Sequence, residues 1–269
     1  MIIDTHVHIG TGLGFNMTED DVLYSMDKYG IDYALISNTE VASHDHQRKL
    51  LPPQFQKSQI ECLERTLAFA RQHKGRIGVL HWVKPMEEIT QELKELIESN
   101  LDIIKGLKFH PYHAGCAFDS EESRRYIDLA AEYSLPVVSH TGIEYDDNPK
   151  RLADMAKVYT DTKFVMVHLG LGSDNREAIE LCAQHKNLYG DTTWVSVNST
   201  LEFIKKCSDR RIMFGSDNPI DGKDTYLNNG AGDRSLYQEY FTEFREMVSE
   251  DTYNRIMWRN AAELFGIDI

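Results

Sequence analysis

Eight short apolar runs rich in Val, Ile and Phe alternate along the chain with amphipathic segments rich in Glu and Lys, the pattern that specifies βα units and a parallel sheet. The runs are Ile2 to Ile9, Tyr33 to Ser37, Arg76 to Val83, Ile103 to His110, Pro136 to Thr141, Lys163 to Leu169, Asn187 to Trp194 and Arg211 to Asp217. Helices are expected over Glu19 to Lys28, Ser58 to His73, Glu87 to Glu98, Glu121 to Tyr133, Pro149 to Tyr159, Asn175 to Gln184 and Leu201 to Cys207. A long last one, Leu236 to Phe265, is expected to break near Ser249 and Glu250. Eight repeats in 269 residues suit an α/β fold of one closed (β/α)8 TIM barrel, since an open doubly wound sheet more often stops at about five or six strands. The expectation is a single barrel domain over residues 1–269. Asn38 to Gln54 and Asn218 to Arg234 are polar and follow a strand directly, which makes them long loops at the strand C-termini and candidates for a lid or pocket wall.

Bulk properties exclude several kinds of partner. A formal net charge of −14, from 29 basic and 43 acidic side chains, repels phosphate backbones, and no basic run reverses it locally, so nucleic acid is not expected. No stretch approaches the roughly 18 apolar residues of a membrane helix, and Met1-Ile2-Ile3-Asp4 lacks the basic start and apolar core of a secretory leader. A cytoplasmic protein without a membrane partner is the expectation, and a homo-oligomer is compatible with it. Cys62, Cys116, Cys182 and Cys207 are widely separated and read as free thiols.

Against that background the histidines stand out. In Asp4-Thr5-His6-Val7-His8 the period-2 alternation of a strand sends Asp4, His6 and His8 to one face and Ile3, Thr5 and Val7 to the other, so two imidazoles enter the barrel side by side. A buried pair of this kind needs partners, and a divalent ion satisfies both rings. His140, His168 and Asp217 end the fifth, sixth and eighth runs at Gly or Pro turns, positions that converge at the C-terminal mouth of a closed barrel. The second pair, His44-Asp45-His46, reads as solvated loop, and His73 and His185 as helix-end residues. His81 is balanced between core and pocket wall, and Asp217 has a competing reading as a helix N-cap.

The motifs Asp4-Thr5-His6-Val7-His8, Lys108-Phe109-His110-Pro111, Val138-Ser139-His140-Thr141-Gly142, Val167-His168-Leu169-Gly170, Phe214-Gly215-Ser216-Asp217 and Asn260-Ala261-Ala262-Glu263-Leu264-Phe265 occur in order over essentially the whole chain. Together they resemble the amidohydrolase-2 branch of the amidohydrolase superfamily. The resemblance implies that His6, His8, His140 and Asp217 hold a divalent metal, with His168 beside it. Three imidazoles and a carboxylate suit Zn2+, the first expectation, and also Mn2+, Fe2+ or Co2+. In some relatives the sixth-strand histidine binds a second metal, and some superfamily members bridge two ions through a carboxylated fourth-strand lysine. His110-Pro111 fits the one-ion branch better, so one ion is favoured over two and Lys108 reads as a cation supporting substrate or ligands. Many relatives add a β-sandwich domain built from both termini, and this chain departs from them in beginning its first strand at residue 2.

The function so implied is hydrolysis, by a metal-activated water, of an ester, lactone or amide-type bond in a small molecule bearing a carboxylate. Asp217 would move protons, His168 and His110 would stabilise developing charge, and Lys108, His113, Trp82 and Trp194 would contact substrate. Two alternatives compete with it: a metal-dependent decarboxylase of an aromatic or unsaturated acid, and a non-catalytic metal- or ligand-binding barrel.

Overall fold

The computed structural model describes residues 1–220 and 236–268. Nine strands form one curled sheet: β1 (Ile3–Gly12), β2 (Phe15–Met17), β3 (Tyr33–Asn38), β4 (Ile77–Trp82), β5 (Ile104–Phe109), β6 (Val137–Gly142), β7 (Phe164–Leu171), β8 (Leu188–Asp191) and β9 (Ile212–Met213), in spatial order β2-β1-β3-β4-β5-β6-β7-β8-β9. β2 folds back antiparallel on the end of β1, a hairpin that the sequence reading did not foresee. The other eight strands are parallel, and the first meets the last. Thr5 N donates to Phe214 O at 3.0 Å, Asp217 N to His6 O at 2.9 Å and His8 N to Asn218 O at 2.8 Å. These bonds close the cylinder, so the fold is the (β/α)8 barrel.

The connecting helices are α1 (Glu19–Tyr29), α2 (Gln59–Gln72), α3 (Gln91–Glu98), the short α4 (Pro111–Ala114), α5 (Glu121–Glu132), α6 (Pro149–Val158), α7 (Arg176–Gln184) and α8 (Val197–Lys206). Their starts follow local chemistry. Side chains of Thr18, Ser58, Thr90, Ser120, Asn148 and Ser196 each accept a first-turn N–H that helix geometry leaves without a partner. That chemistry also corrects two expected boundaries, since Thr90 delays α3 from Glu87 to Gln91 and Ser196 starts α8 at Val197 instead of Leu201. The C-terminal stretch runs through a 3-10 segment Leu236–Phe241, α9 (Glu243–Met247), α10 (Glu250–Asn254), a π turn Arg255–Arg259 and α11 (Asn260–Phe265). Ser249 caps α10 at the expected break, and a second break falls at Thr242. The loop expected over Asn218 to Arg234 lies outside the described residues from 221 onward. Among the described residues no helix is long and apolar enough to cross a membrane.

Two apolar layers hold the barrel. Leu107, Phe109, Val137, Phe164, Met166 and Phe214 face outward and pack under the helices, joined by residues such as Leu67, Ile127 and Phe203. Leu35, Leu80, Val138, Val165, Val167 and Met213 face inward and are plugged by Ala261, Phe265 and Ile267 at the C-terminal end of the chain. Each such side chain contributes about 1.5–3 kcal/mol on burial. Strict alternation on β1 is the exception. Ile3 belongs to the inner layer and Val7 to the outer one, contrary to the expectation that they share a face. A register shift between Asp4 and Val7 changes the parity and delivers His6 and His8 to the interior.

Candidate active site

Inward-facing side chains at the strand C-termini line a cavity of about 370 Å³ at the barrel mouth. On its floor His6 Nε2 lies 2.9 Å from His8 Nε2 and 3.4 Å from Asp217 Oδ1, and His8 Nε2 is 3.0 Å from the same oxygen. Candidate ligand atoms of these three residues all lie within 4.8 Å of one another. Both rings are aimed from behind: His6 Nδ1–H donates to Asp191 Oδ2 at 3.3 Å, and His8 Nδ1 is hydrogen-bonded to Ser37 Oγ at 2.9 Å. Two imidazole nitrogens and a carboxylate oxygen converge on one point, and a divalent metal fits this donor set.

Long-range bonds fix the third member. Asp4 Oδ1 accepts from Ser216 N at 3.0 Å and from His6 N at 3.1 Å, and Asp4 Oδ2 accepts from Ser216 Oγ at 2.5 Å. Asp4 therefore staples β1 to the turn carrying Asp217, and burial raises its carboxyl to about 7. Trp194 Nε1 donates to Asp217 Oδ2 at 2.7 Å. Burial works against the Asp217 carboxylate, but His6, His8 and His168 outweigh it and hold the group well below its ordinary value. Asp217 is an anion at neutral pH.

The imidazoles are the opposite case. Burial, then Lys108, holds His6 well below 6.5, and burial, then His140, does so for His110 and His168; His140 is lowered to about 3 by burial and Lys108. These four rings are neutral near pH 7. His168 reaches the interior only through its backbone, because alternation from Val165 and Val167 would turn it outward. Left-handed φ values of 66° at His168 and 49° at Leu169 reverse it. Trp194 and Asp217 share that conformation, at 57° and 67°. Such backbone costs about 1–3 kcal/mol per residue and concentrates at functional mouths. His168 Nδ1–H donates to Thr193 O at 3.1 Å, leaving Nε2 without a hydrogen-bond partner among the described residues.

One wall is a slab of stacked rings. Trp82 and His110 lie 5.2 Å apart at 8°, and His110 and His140 3.9 Å apart at 12°. Trp82, His110, His113 and Trp194 line the cavity, His113 Nδ1–H donating to His44 O at 2.8 Å. His140 lines it too but stands apart from the three gathered donors, with Nε2 3.5 Å from Asp147 Oδ2. Lys108, expected to support substrate or metal ligands, is buried outside the cavity lining with Nζ 3.1 Å from His6 Nε2, the ligand-supporting position, and burial lowers its ammonium to about 8. His81 faces outward between Leu80 and Trp82 and belongs to the packing. His46, expected as free loop, is a rim residue, bonded through Nε2 to Leu13 O at 2.8 Å and packed on Phe15.

Sequence reasoning missed Asp191, Asp147 and the hairpin residues Leu13 and Phe15. Asp191 carried a signal: it lies within the apolar run Asn187 to Trp194 and shares parity with the inward Tyr189. Its Oδ1 accepts from His168 N at 2.9 Å and its Oδ2 from Thr193 Oγ1 at 2.9 Å, so one carboxylate orients two histidines. Asp191→Asn is expected to weaken metal binding about 10- to 100-fold, read by competition with a chromophoric chelator.

A barrel whose mouth carries a buried His-His-Asp set is the scaffold of a metal-dependent enzyme. The amidohydrolase family (Amidohydro_2) matches residues 3–267, and the chain belongs to that family of enzymes. No curated protein matches it. Among solved structures, the 5-carboxyvanillate decarboxylase of Sphingomonas paucimobilis is similar with a TM-score of 0.72 at 14% identity, over 99% of each chain. A dihydroxybenzoic acid decarboxylase of a Polaromonas species, with bound manganese and the inhibitor 2-nitroresorcinol, gives 0.71 at 12% identity over 98% of this chain and 96% of that one. A probable 2-pyrone-4,6-dicarboxylic acid hydrolase of Acinetobacter baumannii with citric acid bound gives 0.65 at 15% identity over 98% and 99%. At these identities the likeness establishes the shared fold.

Proposed function

We propose that the protein is a divalent-metal-dependent decarboxylase of an aromatic carboxylic acid, with His6, His8 and Asp217 as metal ligands. The observation that carries this reading is the wall above those donors: stacked Trp82 and His110, with Phe15, Ile143, Leu171 and Trp194, and no lysine or arginine among the described lining residues. A flat ring is matched by such a wall, and its carboxylate finds no side-chain cation among the described lining residues. When bound, the metal supplies the positive charge that holds the acid and draws electron density from the ring. Apolar walls disfavour the carboxylate relative to neutral carbon dioxide. His168, whose Nδ1 keeps its proton on Thr193 O, would take up a proton at Nε2 from water and deliver it to the ring carbon: the C–C bond breaks, carbon dioxide leaves, and the proton takes its place.

This reading places the decarboxylase ahead of the hydrolase expected from the sequence. Two of the similar structures are decarboxylases, and one contains manganese where zinc was the first expectation. Hydrolysis stays second, favoured by the likeness to the probable pyrone hydrolase.

The test is carbon dioxide release from a panel of hydroxybenzoates by protein loaded with Mn2+ or Zn2+, against hydrolysis of lactones, esters and amides. Chelation is expected to lower release at least about a hundredfold and Mn2+ to restore it. Turnover of the second panel alone would replace decarboxylation by hydrolysis.

A further inference from the structure

The β6–α6 loop contributes to the cavity an acid that the proposed chemistry does not use. Asp147 is only 3% exposed and lines the cavity wall. Its Oδ1 accepts from Glu144 N at 3.1 Å, and its backbone O accepts from Gly142 N at 3.1 Å. Oδ2 is left over. His140 Nε2 stands 3.5 Å from it, beyond the roughly 2.7–3.2 Å of a good hydrogen bond. Arg48 does not fill the gap, because its guanidinium bonds to the adjacent Asp146.

The loop is shaped to hold this carboxylate where it is. A Cβ on Gly142 would stand 3.0 Å from Oδ2 and 3.2 Å from Oδ1, so the acid rests against bare backbone. On the same wall His110, stacked on His140, buries Nδ1 without any partner. A carboxylate that lines a cavity with one oxygen lacking a close hydrogen-bond partner is costly to bury unless a ligand completes it.

We propose that Asp147, seated on Gly142, determines specificity: it accepts a hydrogen bond from a hydroxyl on the substrate ring and turns away a second carboxylate at that position. This rests on the reading that the substrate is an aromatic acid. The chemistry follows from the inventory of groups, since an ionised carboxylate only accepts while a hydroxyl both donates to it and accepts from a ring N–H such as that of His110. A carboxylate there would meet like charge, with no lysine or arginine among the described lining residues and Arg48 already bonded to Asp146. The preferred substrate is thus a hydroxylated aromatic monoacid.

The experiment measures calorimetric dissociation constants of the Mn2+-loaded protein for hydroxybenzoates, their methyl ethers and the three benzenedicarboxylates, with carbon dioxide release in parallel. Wild type is expected to bind at least one hydroxybenzoate about 10- to 100-fold more tightly than its methyl ether. Asp147→Asn keeps shape and loses charge; it should shrink that ratio severalfold and tighten binding of a dicarboxylate. Gly142→Ala, which displaces the carboxylate while retaining it, should shrink the ratio as well. A variant that merely loosened the pocket would weaken all ligands together. An unchanged hydroxyl-to-ether ratio in Asp147→Asn, wild-type binding of a dicarboxylate as tight as that of a hydroxybenzoate, or no binding across the panel would each overturn the proposal. Selective binding without carbon dioxide release would leave the role of Asp147 standing and overturn the reaction.

Discussion

Asp217→Asn is expected to lower carbon dioxide release on the order of a thousandfold and to leave the purified protein with little bound metal. The substitution keeps the volume and an oxygen near His8 Nε2, so the fold has no reason to change. What is lost is the negative charge that pairs with the cation, and the acceptor that Trp194 Nε1 holds in place at 2.7 Å. Metal analysis by plasma spectrometry beside single-turnover kinetics separates the two contributions. Full metal content with normal turnover would remove Asp217 from the chemistry and leave it as a turn residue after β9.

The second large effect is on stability. Phe214 is fully buried at the seam of the barrel, where its O accepts from Thr5 N at 3.0 Å and its N donates to Ile256 O at 2.9 Å. Its ring packs on Phe241 at 5.3 Å and Tyr240 at 6.2 Å. Phe214→Ala is expected to cost about 3–5 kcal/mol, because the surrounding aromatic cluster cannot collapse fully into the space left behind. In a chain of this size that corresponds to a fall in Tm of roughly 10 °C. Phe214→Leu, which retains most of the volume, should cost less than half as much in the same urea or thermal titration. Equal stability of Phe214→Ala and wild type would show that the seam is held by backbone bonds alone.

Much of this architecture was legible along the chain. Apolar runs of strand length between amphipathic segments gave the eight βα units, and the amphipathic segments placed the starts of α1, α2 and α5 within a residue. His6, His8 and Asp217 could be grouped because each ends or occupies a strand, and strand ends meet at one rim once a barrel closes. Elsewhere local signals misled. The register shift after Asp4 breaks the alternation that seemed to group Ile3 with Val7, and parity alone would have turned His168 outward. His46 looked like free loop because nothing nearby in sequence announces that Leu13 O and Phe15 will meet it.

The division has a physical basis. Periodicity, capping and turn chemistry act over a few bonds, so they are written into neighbouring residues and determined the elements and the strand-end positions of the candidate ligands. The orientation of those ligands depends on partners far along the chain: Asp191 aims His6 from 185 positions away, and Ser216 grips Asp4 from 212. Only closure of the barrel brings such groups within hydrogen-bonding distance. The tertiary structure alone therefore decided that Lys108 lies against His6, that His140 turns toward Asp147, and that the cavity above the His-His-Asp set is walled by rings.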